Sequence, residues 1–131
     1  MSASLSSPQA GLAHLILVVE DEIFIALDLA ATLEDGGHRV LGPAPTVAGA
    51  LKLLGGQRPD AAVLDVNLKG EMVTPVARLL RQMGVPFVLA SAYGCTELPD
   101  DEALAGAPFL GKPTASARLL AVVGEMLRGP A

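Results

Sequence analysis

The chain has 131 residues, a net charge of −5 and a hydrophobic fraction of 51%, which together predict one globular domain with a substantial core. Its nine basic residues are scattered, so a nucleic-acid-binding surface is not expected. The single cysteine, Cys95, excludes an internal disulfide bond and a cysteine-based metal site. Because the first basic residue is Arg39 and no apolar run is long enough to span a bilayer, we expect a soluble cytoplasmic protein.

Apolar runs alternate with helical patterns along the chain. We expect a flexible N-terminal tail at 1–13, a folded domain at 14–128 and a short tail at 129–131. In chain order the predicted elements are a strand at 14–19, a helix at 22–35, a strand at 39–41, a helix at 46–54, a strand at 61–68, a helix at 71–83, a strand at 86–91, a short or mobile fourth helix within 94–106, a strand at 107–110 and a helix at 115–128. This alternation predicts right-handed crossovers and an α/β fold with a doubly wound parallel sheet.

Glycine, proline and threonine positions set several of these boundaries. Gly36-Gly37 is expected to end the first helix, and Gly42-Pro43 to close the second strand. Thr46 is a suitable N-cap for the second helix, which Gly55-Gly56 would end. Pro75 falls in the first turn of the third helix, where proline is tolerated.

Polar side chains follow the apolar runs where the predicted strands end. Glu20 and Asp21 follow the first strand, Asp65 lies at the end of the third, Ser91 at the end of the fourth, and Lys112 follows the fifth. A parallel sheet brings these ends to one edge, where ligands bind in open α/β folds. Three carboxylates there would repel one another, and Mg²⁺ is a natural compensation. A lysine and a hydroxyl suit phosphoryl oxygens, and a carboxylate can carry a phosphoryl group as a nucleophile.

Each of these residues also has an ordinary structural interpretation. Glu20 and Asp21 could favour a helix N-terminus, and Asp65 could be a helix or turn cap. Ser91 could be a satisfied core hydroxyl, and Lys112 a surface lysine. Their combination at successive strand ends, in the order acid pair, acid, hydroxyl and lysine, favours a phosphoryl site.

Four motifs carry a resemblance to a known family. They are Leu-Val-Val-Glu-Asp-Glu at 17–22, Val-Leu-Asp-Val-Asn-Leu at 63–68, Leu-Ala-Ser-Ala-Tyr at 89–93 and Gly-Lys-Pro at 111–113. With them, residues 14–128 resemble the receiver domain of two-component response regulators, of the stand-alone and chemotaxis-regulator-like type. The resemblance implies a flavodoxin-like, three-layer α/β/α fold whose five parallel strands have the order 2-1-3-4-5. The 89–93 stretch also partly resembles a bacterial subgroup of stand-alone receivers.

The resemblance further implies a metal site and a phosphoacceptor. Asp65 would accept the phosphoryl group. Asp21 and Asp65 would bind Mg²⁺, or Mn²⁺, directly, and Glu20 would bind it through water. The backbone carbonyl of Asn67 would complete the protein ligands.

The resemblance also implies a switch. Lys112 would contact the phosphoryl group, and Ser91 would move towards it. Phe109 occupies the position of the family's switch aromatic, and Tyr93 would flank the path of the hydrolytic water together with the side chain of Asn67. The family more often has threonine and tyrosine where this chain has Ser91 and Phe109. Phenylalanine can rotate but cannot donate a hydrogen bond.

We therefore expect a single-domain response regulator that accepts a phosphoryl group from a histidine kinase or phosphotransfer protein and presents a changed surface to a downstream protein. Such a protein catalyses its own phosphorylation and dephosphorylation at Asp65, without conventional substrate turnover. A DNA-binding output domain is not expected, because only 129–131 follow the last helix. Homodimerisation on phosphorylation stays open. The first helix carries more apolar residues than a core stripe needs, which indicates either tight packing or a docking face for the kinase.

Two other functions and one other context remain as alternatives. A phosphorylation-independent, receiver-like adaptor would use the same fold without the chemistry. A phosphatase of the haloacid dehalogenase type is disfavoured, because Asp65-Val66-Asn67 lies on the third strand and lacks the second acid. The chain could also be a receiver domain excised from a larger regulator or hybrid kinase.

Overall fold

The computed structural model describes residues 13–91, 102–111 and 114–128. Its elements are β1 (Leu15–Val19), α1 (Ile23–Asp35), β2 (Arg39–Ala44), α2 (Val47–Gly56), β3 (Ala61–Asp65), β4 (Asn67–Leu68), β5 (Glu71–Met72), α3 (Thr74–Met83), β6 (Phe87–Ser91), β7 (Phe109–Gly111) and α4 (Ser116–Arg128). The predicted tails, apart from Ala13, lie outside the described residues, as does the 94–101 part of the connection in which the short or mobile fourth helix is predicted. The remainder of that connection, residues 102–106, forms turns.

Five parallel strands form the main sheet in the order β2-β1-β3-β6-β7. Since β6 and β7 are the fourth and fifth strands of this sheet, the predicted doubly wound order is confirmed. Val19 lies beside Leu64, and Asp65 lies beside Ala90. The register therefore brings the carboxyl ends of β1, β3 and β6 to the same edge.

The core lies on both faces of the sheet. Leu17 and Val19 pack in a cluster with residues of α2 and α3, whereas Ile16 and Val18 pack in a second cluster with residues of α1 and α4. Successive side chains of a strand point to opposite faces, so a strand covered on both sides must be apolar throughout. This explains the continuous apolar runs and gives the three-layer α/β/α arrangement that the resemblance implies.

The predicted strand at 61–68 and the predicted helix at 71–83 both have wrong boundaries near Gly70. β3 ends at Asp65, and β4 and β5 then form a short antiparallel hairpin. Lys69 and Gly70 have φ angles of 53° and 89°, as a two-residue hairpin turn of type I′ requires. The Asn67 side-chain oxygen accepts a hydrogen bond from the Gly70 backbone N–H at 2.6 Å. Because the hairpin takes up these residues, α3 begins only at Thr74.

The predicted end of β2 is also wrong. The strand continues through Gly42 and Pro43 to Ala44, which pairs with Val19 after a shift in register. Proline is tolerated here because β2 is the edge strand of the sheet. Gly42 has a φ of 98°, and a Cβ at this position would lie 3.0 Å from the Val18 carbonyl oxygen. The bulge therefore needs a glycine.

The start of α2 is as predicted, but its end is not. The Thr46 hydroxyl accepts a hydrogen bond from the Gly49 backbone N–H at 3.0 Å, which confirms the N-cap. The helix continues to Gly56 instead of ending at the glycine pair.

The fifth strand of the main sheet, β7, is shorter and lies later than predicted, at 109–111. Among the described residues, none of the helices has the length and apolarity needed to cross a membrane.

Candidate functional site

Three carboxylates meet at the carboxyl edge of the sheet. Glu20 and Asp21 directly follow β1, and Asp65 is the last residue of β3. Each offers a carboxylate oxygen that lies within 4.8 Å of the other two. Glu20 and Asp65 are only 2% and 7% exposed, whereas Asp21 is half-buried. The register of two central strands therefore forces three acidic groups into one small, poorly hydrated region.

Backbone contacts fix the turn that carries Glu20. Its N–H donates a hydrogen bond to the Ala44 carbonyl oxygen at 3.0 Å. Its side-chain carboxylate accepts one from the Glu22 N–H at 3.1 Å, directly before α1. The first N–H groups of a helix have no partners within the helix and carry partial positive charge. The N-terminus of α1 thus offsets some of the negative charge of the site.

The donor set of this cluster fits a hard divalent cation. Three carboxylates this close repel one another, and burial weakens the screening that water provides. All three side chains offer oxygen atoms, the ligands that Mg²⁺ and Mn²⁺ prefer. Because Asp21 is only half-buried, the cluster is open to solvent and to a ligand on that side.

The residues predicted on β6 and β7 are only partly within the described structure. Ser91 is the last residue of β6, and its backbone pairs with that of Gly111 at the end of β7. The preceding residue of β6, Ala90, pairs with Asp65 on β3. The side chain of Ser91 and the residues Tyr93 and Lys112 lie outside the described residues.

Sequence reasoning missed one contact next to the predicted lysine. The Thr114 hydroxyl donates a hydrogen bond to the Gly111 carbonyl oxygen at 2.6 Å. This bond ties together the two described residues on either side of 112–113. The signal in the sequence is a threonine three residues after a glycine that ends a strand, a pattern in which hydroxyl groups often close turns.

The other two predicted site residues have defined surroundings. Asn67 is exposed, and its side-chain oxygen is engaged with Gly70 in the hairpin. Phe109, the first residue of β7, is half-buried and packs against the core cluster on the α2 and α3 side. The role of Asn67 in the hairpin was missed from the sequence, although an Asn-x-x-Gly spacing is typical of turns in which the asparagine side chain accepts a backbone N–H.

The apolar excess of α1 is exposed. Ile23, Phe24 and Leu27 are 63%, 78% and 55% exposed, and we call these three residues the α1 patch. Leu29 and Leu33 on the same helix are buried against the sheet. The sequence left two interpretations of this helix, tight packing and a docking face. Tight packing accounts for the buried Leu29 and Leu33 but not for the α1 patch.

Comparison with known proteins places the chain in a family, although no protein-family model matches it. The phyllosphere-induced regulator PhyR of Methylorubrum extorquens is 33% identical over 121 residues, which are 90% of this chain and 45% of that protein. The solution structure of SdrG from Sphingomonas melonis Fr1 is 37% identical, with a TM-score of 0.76, over 88% of this chain and 97% of that one. The chain belongs to the response regulator receiver family.

A further receiver structure agrees with this assignment. The response regulator receiver protein from Sinorhizobium medicae has a TM-score of 0.79 at 29% identity, over 89% of this chain and 96% of that one. The chain spans about half the length of the curated relatives it matches, 45% in the case of PhyR and 61% in the case of PdtaR from Mycobacterium tuberculosis. The fold and the family therefore identify a receiver domain of the kind found in two-component signalling proteins.

The carboxylate cluster predicts an unusual response to the loss of one charge. In buffer with a chelator, Asp21→Asn should raise the free energy of unfolding by about 1 kcal/mol, because it removes like-charge repulsion at a half-buried position. Adding Mg²⁺ should stabilise the wild-type protein more than the variant. Thermal unfolding with and without Mg²⁺ measures both effects. Asp28→Asn, which removes an exposed acid on α1, is the matched control. Equal behaviour of the two variants would contradict the predicted repulsion.

Proposed function

We propose that this protein acts as a response regulator receiver in a phosphorelay and accepts a phosphoryl group on Asp65 in the presence of Mg²⁺ or Mn²⁺. The observation that supports this most is the cluster of Glu20, Asp21 and Asp65, whose carboxylate oxygens lie within 4.8 Å of one another. Such a cluster suits a cation and, beside it, a phosphoryl group. The protein would then store that group briefly as a signal and catalyse its own phosphorylation and dephosphorylation.

Different residues of the chain would bind the cation and carry out the phosphoryl transfer. Glu20, Asp21, Asp65 and the backbone carbonyl of Asn67 would hold the cation, which when bound neutralises negative charge on the phosphoryl oxygens. A carboxylate oxygen of Asp65 would attack the phosphorus atom of a phosphohistidine. The phosphorus–oxygen bond forms as the phosphorus–nitrogen bond breaks, and the imidazole nitrogen leaves with the electron pair. The burial of Asp65 limits the access of water during this step.

We propose that Lys112 and Ser91 bind the transferred phosphoryl oxygens. The support is the pairing of β6 with β7, which puts the backbone of Ser91 and Gly111 at the edge where Asp65 lies. Binding of these groups to the phosphoryl group would favour one of two pre-existing arrangements of the surface. Phe109 would change its packing when the surface changes. Tyr93 and Asn67 would control the access of the hydrolytic water to the phosphoryl group.

The donor would be a histidine kinase or a phosphotransfer protein that docks on the α1 patch. Ile23 is the first residue of α1 and follows the acidic site by two positions, so a helix bound there could bring a phosphohistidine close to Asp65. Exposed apolar side chains grouped on one helix are typical of a protein-binding surface. The partner that recognises the phosphorylated form would be another protein in the cytoplasm. Nine basic residues against fourteen acidic ones favour neither a nucleic acid nor an anionic membrane as the partner.

The first test of this proposal uses acetyl phosphate as a small phosphodonor. Wild-type protein with Mg²⁺ should take up label, and a chelator should abolish the uptake. Asp65→Asn should lose more than about nine-tenths of the label, because an amide is a poor nucleophile. Asp28→Asn should label like the wild type. Phosphate-affinity electrophoresis measures the labelled fraction, and undiminished labelling of Asp65→Asn would overturn the proposal.

A second test separates docking from chemistry. Purified, autophosphorylated histidine kinases from the source organism serve as donors, and the kinase that labels the wild-type protein fastest is used with Phe24→Ser. Transfer should slow by about tenfold or more, as expected when an exposed aromatic anchor of an interface is lost. Labelling by acetyl phosphate should not change, because Phe24 is exposed and outside the carboxylate cluster. Equal transfer to both proteins would contradict docking on the α1 patch.

A further inference from the structure

Arg81, in the last turn of α3, fastens the 102–106 turn to the body of the domain. Its Nε donates a hydrogen bond to the Ala103 carbonyl oxygen at 2.8 Å, and one terminal nitrogen donates to the Ala105 carbonyl oxygen. The guanidinium group also lies 5.0 Å from the centre of the Phe87 ring. One side chain therefore connects α3, the start of β6 and the turn that precedes β7.

Only an arginine can make this set of contacts. The guanidinium group is a planar fork with several donors, and its face stacks on aromatic rings. A lysine offers three donors on one compact ammonium group, but it has no planar face that can stack on Phe87 while its edge donates to the two carbonyl oxygens. The turn itself is pulled inwards, since Ala103 and Leu104 are buried in the core cluster on the α2 and α3 side.

The turn matters because it lies just before β7 in the chain. β7 is a three-residue strand at the edge of the main sheet, where β6 is its one neighbour among the described strands. Just before it, the Pro108 carbonyl oxygen accepts a hydrogen bond from the Leu89 N–H at 2.9 Å. A strand this short forms few ladder hydrogen bonds, so its position depends on the core packing of Phe109 and Leu110 and on how the chain is held at its ends. At its amino end, the turn held by Arg81 supplies that support.

We infer that Arg81 is a positioning residue for the phosphoryl transfer proposed above, which this inference presupposes. By holding the 102–106 turn, Arg81 fixes the placement of β7, and β7 carries Phe109 and leads directly into Lys112. The carboxylates of the cation site directly follow β1 or end β3. The Arg81 contacts described above are instead with the 102–106 turn and with Phe87 at the start of β6. Loss of Arg81 should therefore slow phosphoryl transfer without weakening Mg²⁺ binding.

The experiment compares Arg81→Gln and Arg81→Lys with Thr46→Ala. The last variant removes the cap of α2 and serves as a control for a general loss of stability, since Thr46 lies on neither β6 nor β7. Three quantities are measured in each protein. They are the amide exchange rates of Leu89, Ala105 and Ala107, the initial rate of labelling by acetyl phosphate, and the Mg²⁺ concentration that gives half-maximal stabilisation.

Arg81→Gln should exchange these amides about tenfold faster, because the turn then opens locally more often. Its labelling rate should fall about fivefold or more, with the Mg²⁺ half-saturation within about twofold of the wild type. Arg81→Lys should recover less than half of the lost rate. Thr46→Ala should label at the wild-type rate despite its lower stability.

Each contrary outcome has a distinct meaning. Wild-type exchange rates in Arg81→Gln would overturn the anchoring of the turn. Faster exchange with an unchanged labelling rate, or an equal loss of labelling in Thr46→Ala, would overturn the positioning role. If the wild-type protein takes up no label at all, the proposed function itself fails, and the positioning role fails with it.

Discussion

The repulsion among three carboxylates at the end of two central strands is the constraint on which the site depends. Glu20, Asp21 and Asp65 come together because Val19 lies beside Leu64 in the sheet. The register cannot slip by one residue without moving every buried side chain of a strand to the other face. Both faces of β1 and β3 are covered by core clusters, so this core holds the acidic groups together against their repulsion.

This constraint gives the carboxyl edge of the sheet its chemistry. A region that concentrates negative charge has a strong preference for a cation, and a cation there can in turn hold a phosphoryl group beside Asp65. The parts around the cluster differ in how firmly they are held. β1 and β3 are central strands, whereas β7 is a short edge strand that is preceded by the turn bound to Arg81 and followed by the Thr114 bond. The central strands therefore carry the acids to the site, and the edge strand leads to the residues proposed to bind the phosphoryl oxygens.

The sequence predicted the sheet and the strand that carries each acid, because strands buried on both faces must read as continuous apolar runs. It failed where an apolar run crosses a structural boundary. Val66 and Leu68 are as buried as the residues of β3, so nothing in their hydrophobicity shows that the strand ends at Asp65 and a hairpin begins. Hydrophobic spacing also could not separate the buried Leu29 from the exposed Phe24 on α1. The contacts of Arg81 join residues far apart in the chain, and local patterns do not predict such contacts.

The central claim is that Asp65 carries the phosphoryl group, and chemical trapping tests it most directly. An aspartyl phosphate is reduced by borohydride to homoserine, whereas a free carboxylate is not, so the reduced residue marks the site of phosphorylation. Wild-type protein would be labelled with acetyl phosphate and Mg²⁺, reduced, digested and sequenced by tandem mass spectrometry. The account predicts homoserine at position 65 and unchanged aspartate at positions 21 and 60. Homoserine at another aspartate, with Asp65 intact in labelled protein, would contradict it.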